Sequence, residues 1–334
     1  MKYWKIVTLS LLLGSCGQQQ DWVRNRNVGT VFGTTYAITY LSKTPVDFQQ
    51  EIDSVFDAVN RSMSTYLLDS DITKINQGDS TVVVDTMFKE VFELSEVIYN
   101  TSNGYFDPTV GTLVNAWGFG PGETIALDST KVDSLLQYVG FNKVQLTEAN
   151  KIQKATPEIF FDFNAIAKGY AIDRVGLLLA QQGIADFLIE VGGEVLTKGE
   201  NRISKQMWTV GIDDPQATAE RELKKIVSLK DAALASSGNY RKFRIDTLTG
   251  EKYVHTIDPK TGYTKNAKVL AASVIASDCA TADGYATAFM ALELEATKKI
   301  LAAQQDMEAY LIFLDEGGNT REFITDGFQA LVRP

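Results

Sequence analysis

Apolar positions along this chain change period repeatedly, and each change marks an element. Residues 28–41, VGTVFGTTYAITYL, are rich in β-branched and aromatic side chains and predict strand, interrupted at Gly33. Residues 48–63 switch to helical spacing: Ile52, Val55, Phe56 and Val59 share one stripe and predict a core-facing helix. Ser64, Thr65 and Tyr66 lie in a loop, and Asp71 opens a short segment that ends near Gly78. Residues 82–84 read as a brief strand. Asp85 or Thr86 then caps a helix carrying Phe88, Val91, Phe92, Ser95 and Ile98.

Residues 103–122, NGYFDPTVGTLVNAWGFGPG, have no period. They predict a shaped loop around a short helix near 109–117. Glycine lets backbone approach a ligand closely, and aromatic rings supply a flat apolar wall. A packed surface loop of the same composition needs no ligand, and the composition alone leaves both readings open.

Farther along, 129–138 is an amphipathic helix and 144–146 with 151–153 suggest a hairpin. Residues 159–163, IFFDF, predict a buried strand feeding a helix over 165–182, capped by Asp162 or Asn164 and ended by Gly183. Strands follow at 187–191, 208–212, 226–229, 232–235 and 269–275. Gly192-Gly193 reads as a tight turn, Ser236 to Tyr240 as a polar turn, and Asp258 to Gly262 as a turn after a hairpin of 241–245 with 253–257. The end alternates helix (296–304), strand (309–314), a Gly317-Gly318 turn and one or two final strands. Strands adjacent in sequence, with helices between groups, predict an α+β fold: one compact domain over 28–334 with mostly antiparallel mixed sheets and packed helices.

Composition narrows the function. The 334 residues carry a net charge of -10, which argues against general nucleic-acid binding. An acidic protein binds phosphate only through local devices: backbone amides, a metal, or a single lysine. One histidine and two cysteines rule out a Cys/His zinc site. At the N-terminus, Lys2 and Lys5 precede an apolar run over 6–13 that is too short to span a bilayer. Leu13-Gly14-Ser15-Cys16 follows and resembles a bacterial lipoprotein lipobox; an ordinary signal peptide with a chance cysteine is the plainer alternative. The expectation is a signal peptide over 1–15, lipidation at Cys16, a polar tether over 16–27, and an exported protein anchored to a bacterial membrane, facing the periplasm.

Two features carry chemistry. Asp283 and Thr287 stand four residues apart in SDCATADGYATAFM, which places both oxygens on one helix face, as a hard divalent cation requires. Alternatively, Asp283 only meets the helix dipole while Thr287 bonds back to its carbonyl. Lys168 sits in the first turn of the 165–182 helix, where the dipole disfavours a cation and a nearby anion would explain one; a solvated surface lysine is the equally open alternative. The P-loop pattern is absent.

Taken in order, FDPTVGTLVNAWGFG, DFNAIAKGYAID, VGGEV, SSGNYR, HTIDPKTG and ADGYATA resemble the ApbE family. Its members are FAD:protein FMN transferases, commonly exported lipoproteins. The resemblance covers nearly the whole chain after the tether. It implies FAD as donor, magnesium as the usual cofactor, FMN transfer to a partner threonine, and release of AMP. The implied partners are flavoprotein subunits of sodium-pumping NADH:quinone reductase or Rnf-type complexes. It also implies roles for residues. Asp283, Thr287 and the backbone carbonyl of Ala165 would hold the metal. Lys168 would contact FAD, and Phe32, Tyr66, Tyr105, Phe106, Asp107 and Ile257 would line the flavin and nucleotide pocket. His255 would lie beside the reacting phosphates, with His255, Asp258 or Asp107 as general base. Phe32 departs from the methionine frequent at its position, and Ser236 from a threonine. A magnesium-dependent FAD pyrophosphatase and a non-catalytic FAD-binding lipoprotein are the alternative readings.

Overall fold

A computed structural model describes residues 21–217, 222–239, 243–245, 252–254, 256–264 and 268–333. Cys16 and His255 lie outside the described residues. Eight strands form the main sheet in the order in which the chain supplies them. They are β1 (Val23–Val31), β2 (Thr34–Ser42), β3 (Phe187–Val191), β4 (Glu194–Lys198), β5 (Ala232–Gly238), β6 (Val269–Ala276), β7 (Glu308–Leu314) and β8 (Thr320–Ile324). Every neighbouring pair is antiparallel.

The two-residue period of each strand feeds two cores. Ala233 and Ala235 of β5, Val274 of β6 and Leu311 of β7 face the helical side. Leu234, Ile275, Tyr310 and Ile312, one step along the same strands, face the other side. The helical side holds α1 (Gln49–Met63), α2 (Thr86–Thr101), α3 (Ala167–Gln181) and α4 (Cys279–Ala291). A hairpin of Trp208–Asp213 with Leu223–Leu229 and a terminal helix, Asp326–Leu331, cover the opposite side. The α+β expectation and the largely antiparallel pairing match this architecture.

Several local expectations fail, two of them because polar side chains take over contacts that the hydrophobic pattern does not record. The folded part begins at Val23, so residues 23–27 belong to an edge strand and not to the tether. The inward positions there are Asn25 and Asn27, which hide the strand from a hydrophobic pattern. Both are held as polar pegs: Asn25 donates to Ser42 Oγ and accepts from the Val46 N–H, while Asn27 donates to Asp47 and Gln49 and accepts from the Tyr40 hydroxyl. Residues 159–163 are buried in alternation but form no strand ladder, apart from a parallel bridge between Phe160 and Val110. The amide of Asn76 stands in for a neighbouring strand. Its Nδ2 donates to the Phe161 carbonyl at 2.9 Å, and its Oδ1 accepts the Phe161 N–H at 2.7 Å. The Pro108 carbonyl accepts the next N–H, that of Asp162, at 2.8 Å.

Residues 236–238, expected as a turn, extend β5 alongside β6. Residues 82–84 are not strand, and the terminal segment after β8 is a helix. Elsewhere the pattern held: Asp85 caps α2 by accepting the Phe88 N–H, and its buried face is Phe88, Val91, Phe92, Ser95 and Ile98.

Candidate active site

The sheet, α3 and α4 meet through unusually small residues. A Cβ on Gly169 of α3 would lie 2.3 Å from the Cys279 carbonyl oxygen at the start of α4. One on Gly284 of α4 would lie 2.4 Å from Ile98 Cδ1 of α2. Side chains this small let α3 and α4 approach backbone to backbone. That approach brings two charged residues together. The N–H of Gly169 donates to Asp283 Oδ2 at 3.1 Å, and Lys168, one residue earlier, reaches back to Glu194 Oε2 of β4 at 2.7 Å.

Asp283 is buried, and it lies beyond the first turn of α4, so the helix dipole does not account for it. Burial, with the charge of Glu194 added, pushes its pKa up to about 8. Burial alone would lower the ammonium of Lys168, but the charges of Glu194 and Asp283 prevail and hold it above its ordinary value. Thr287 does not bond back to the Asp283 carbonyl. Its hydroxyl faces Ser237 of β5 across 3.4 Å. Ala165 stands half-buried two positions before α3, which starts at Ala167 without a side-chain cap; neither Asp162 nor Asn164 serves as one. Asp162 instead accepts the N–H of Asn164, which shapes the approach to the helix.

Glu194 and Asp173 lie inside the VGGEV and DFNAIAKGYAID motifs respectively, where the sequence assigns neither a role. Asp173 of α3 accepts the N–H groups of both Cys279 and Ala280, so it caps α4 from the neighbouring helix. Burial pushes its pKa up to about 7. The signal available was a carboxylate at a position where the helix is otherwise buried. Cys279 is fully buried and its thiol pushed well up by burial, which makes it a packing atom rather than a nucleophile.

A second group of expected residues lies around the 103–118 loop. Tyr105 has Lys260 Nζ 5.9 Å from its ring centroid. Phe106 is buried in the main core. Asp107 is buried too, and its carboxylate accepts from the Thr109 N–H and hydroxyl and from the Phe141 N–H. Burial pushes its pKa upward against those hydrogen bonds and the nearby charge of Lys260. Ile257 packs in a small cluster with Leu113 and Val139. Trp117 Nε1 donates to the Gly262 carbonyl at 2.9 Å and fastens this loop to the 256–264 turn. Lys260, read from sequence only as a turn residue, is thus a second cation among the expected pocket residues.

Phe32 sits at the β1–β2 turn with φ 52, followed by Gly33 at φ 72. Positive φ at both turn positions suits a two-residue hairpin, but at a phenylalanine it is strained by about 1–2 kcal/mol. Its ring stands edge-on to Phe56 of α1 at 5.7 Å. Tyr66 is exposed; partial burial and the charge of Asp162 raise its phenol. Asn164 donates to Thr65, so the Tyr66 loop adjoins the approach to α3. On the opposite side of the sheet a cavity of about 400 Å³ opens against residues 209–213, and Ser237 lines it.

Among the described residues no group of three His, Cys, Asp or Glu forms a metal cage. What the described residues bring together is the buried Asp283 carboxylate, the Thr287 hydroxyl one turn along α4, and Lys168 in the first turn of α3. Fold and site together define an antiparallel α+β protein with a buried carboxylate and a lysine at the crossing of α3 and α4. The chain belongs to the ApbE family, which it matches over residues 32–311. It is 32% identical over 342 residues to an FAD:protein FMN transferase of Vibrio cholerae, covering 99% of each chain. Its identity to one of Haemophilus influenzae is 31%, covering 97% of this chain and 94% of the relative. A solved structure of the flavin transferase ApbE from Vibrio cholerae superposes with a TM-score of 0.81 at 31% identity, covering 93% of this chain and 100% of that one.

Proposed function

We propose that this chain transfers FMN from FAD to a threonine hydroxyl of a partner flavoprotein subunit and releases AMP. The observation that carries this reading is the joining of Asp283 to Gly169, beside the Lys168–Glu194 pair, in a member of a family whose relatives are named for this reaction. In the transfer, the threonine oxygen bonds to the FMN phosphorus. The bond from that phosphorus to the bridging oxygen breaks, AMP leaves with that oxygen, and the hydroxyl proton passes to a base.

The residues present fit a hard dication. Burial holds a proton on Asp283 up to about pH 8 even beside the Lys168 ammonium, and a dication would take that proton's place. A site with so few protein oxygens suits magnesium, which prefers to keep water and phosphate among its ligands. Asp283, Thr287 and the Ala165 carbonyl would hold it. Bound there, magnesium neutralises charge on the phosphate oxygens.

Lys168 adds a fixed positive charge near the same anion, and the α3 N-terminus adds its dipole. Phe32 and Tyr105 offer aromatic surface to the flavin and nucleotide. His255 is the base in this reading. Asp107 is poorly suited to that role, because its carboxylate already accepts three hydrogen bonds from its own loop and Phe141. The acceptors are subunits of sodium-pumping NADH:quinone reductase or Rnf-type complexes, met at the periplasmic face by a protein lipidated at Cys16.

Mass spectrometry of an acceptor subunit incubated with this protein, FAD and magnesium tests the reading, with EDTA as control. A metal-dependent gain of one FMN on a threonine is expected. FMN and AMP without an adduct would replace transferase by pyrophosphatase. Intact FAD across several acceptors would leave only a flavin-binding protein. Membrane fractionation of Cys16→Ser tests the anchor, and unchanged membrane retention would remove it.

A further inference from the structure

We infer that Glu194 is a positioning residue that aims the Lys168 ammonium at the phosphates, a role that rests on the transferase reading above. Glu194 follows the Gly192-Gly193 turn, where φ is 62 and 107, so the start of β4 is fixed by two glycines in a conformation few other residues adopt. Gly193 is further held by donating its N–H to Glu190 at 2.7 Å. The Glu194 side chain is only 6% exposed, whereas that of Lys168 is 26% exposed. The more buried member of the pair is therefore the anchor, and the lysine is the more accessible end. A flexible four-carbon side chain in the first turn of α3 gains a defined direction from this 2.7 Å contact.

Glu194 also places a negative charge close to Asp283. That charge opposes an incoming diphosphate, so the site gives up ground-state affinity for orientation. Removing it should tighten FAD binding while slowing transfer, a divergence that simple loss of structure does not produce.

The experiment compares wild type, Glu194→Gln, Glu194→Ala, Lys168→Met and the double variant Glu194→Gln/Lys168→Met. FAD affinity is read by flavin fluorescence in EDTA, transfer to an acceptor subunit by kcat, and folding by Tm. Glu194→Gln is expected to bind FAD about threefold more tightly and to turn over about tenfold more slowly, with Tm within a few degrees of wild type. In the Lys168→Met background the Gln substitution should change kcat less than twofold, because its effect passes through the lysine. Glu194→Ala should show the same divergence more strongly. Independent, multiplicative losses in the double variant would overturn the proposal. So would weaker FAD binding by Glu194→Gln at unchanged Tm. If wild type transfers no FMN, the transferase reading fails by itself, while the fluorescence comparison still decides whether Glu194 governs Lys168.

Discussion

The α3–α4 crossing and the 103–118 loop both contribute expected site residues, yet they are built on opposite principles. At the crossing, position comes from missing volume: Gly169 and a run of small residues in α4 let backbone meet backbone, and the charged groups are carried along. In the loop, position comes from side chains bonding to backbone, through Asp107, Thr109 and Trp117. The first should tolerate loss of a polar group but not added volume. The second should tolerate volume at its surface but not loss of an acceptor.

Gly169→Val breaks this comparison most directly. The added carbons meet the Cys279 carbonyl, which is backbone and cannot rotate away. A cost of about 3 kcal/mol and complete loss of FMN transfer are expected. Denaturant unfolding and the adduct assay check both, and near wild-type stability would show that α3 and α4 are not in close contact.

Asp283→Asn separates site chemistry from packing. Transfer should fall by about a hundredfold or more. Stability should respond to pH with a definite sign. The folded-state pKa of about 8 exceeds the ordinary carboxylate value of about 4, so the folded chain holds this proton more tightly than the unfolded chain. In EDTA that contribution is fully present below about pH 4, is lost as pH rises to about 8, and stays lost above. Asp173 contributes a slope of the same sign that ends near pH 7. Melting curves should therefore show Asp283→Asn overtaking wild type as pH rises, with magnesium raising the Tm of wild type alone. A variant that is equally destabilised from pH 5 to 9 would refute the buried-carboxylate account.

For the loop, Asp107→Ala removes an acceptor of three hydrogen bonds and should cost about 2–3 kcal/mol, measured by urea unfolding. Trp117→Phe keeps the apolar body and removes one bond to Gly262, for about 1 kcal/mol. If its effect exceeds that of Asp107→Ala, the loop is held from the 256–264 turn rather than from within.

These differences also explain what the sequence disclosed. Helix faces such as the Phe88–Ile98 stripe of α2 were legible because burial of apolar side chains leaves a period. Asp283 and Thr287 were legible through spacing on one helix. Contacts made by polar groups in place of secondary structure left no such trace. Asn76 completing the Phe161 segment, Asn25 and Asn27 filling the inner face of β1, and Asp173 capping a helix more than a hundred residues away all look like ordinary polar residues in the sequence. Glu194 belonged to a recognisable motif, but its partner became visible only when β4 and α3 were placed side by side.

The edge strand β1 also has a mechanical meaning. Tension applied at the N-terminal end of the described chain enters at Val23 and is transmitted to β2 over a register that runs from Val23–Ser42 to Val31–Thr34. A pull along the strand axis loads these ladder bonds together, in shear, rather than opening them one after another. Asn25, bonded to Ser42, and Asn27, bonded to Tyr40, act as dowels across that joint, and Lys43 sits 3.7 Å from the Trp22 ring centroid where the load arrives. The domain therefore meets a force along its leading strand with its strongest geometry, and a sideways force with its weakest.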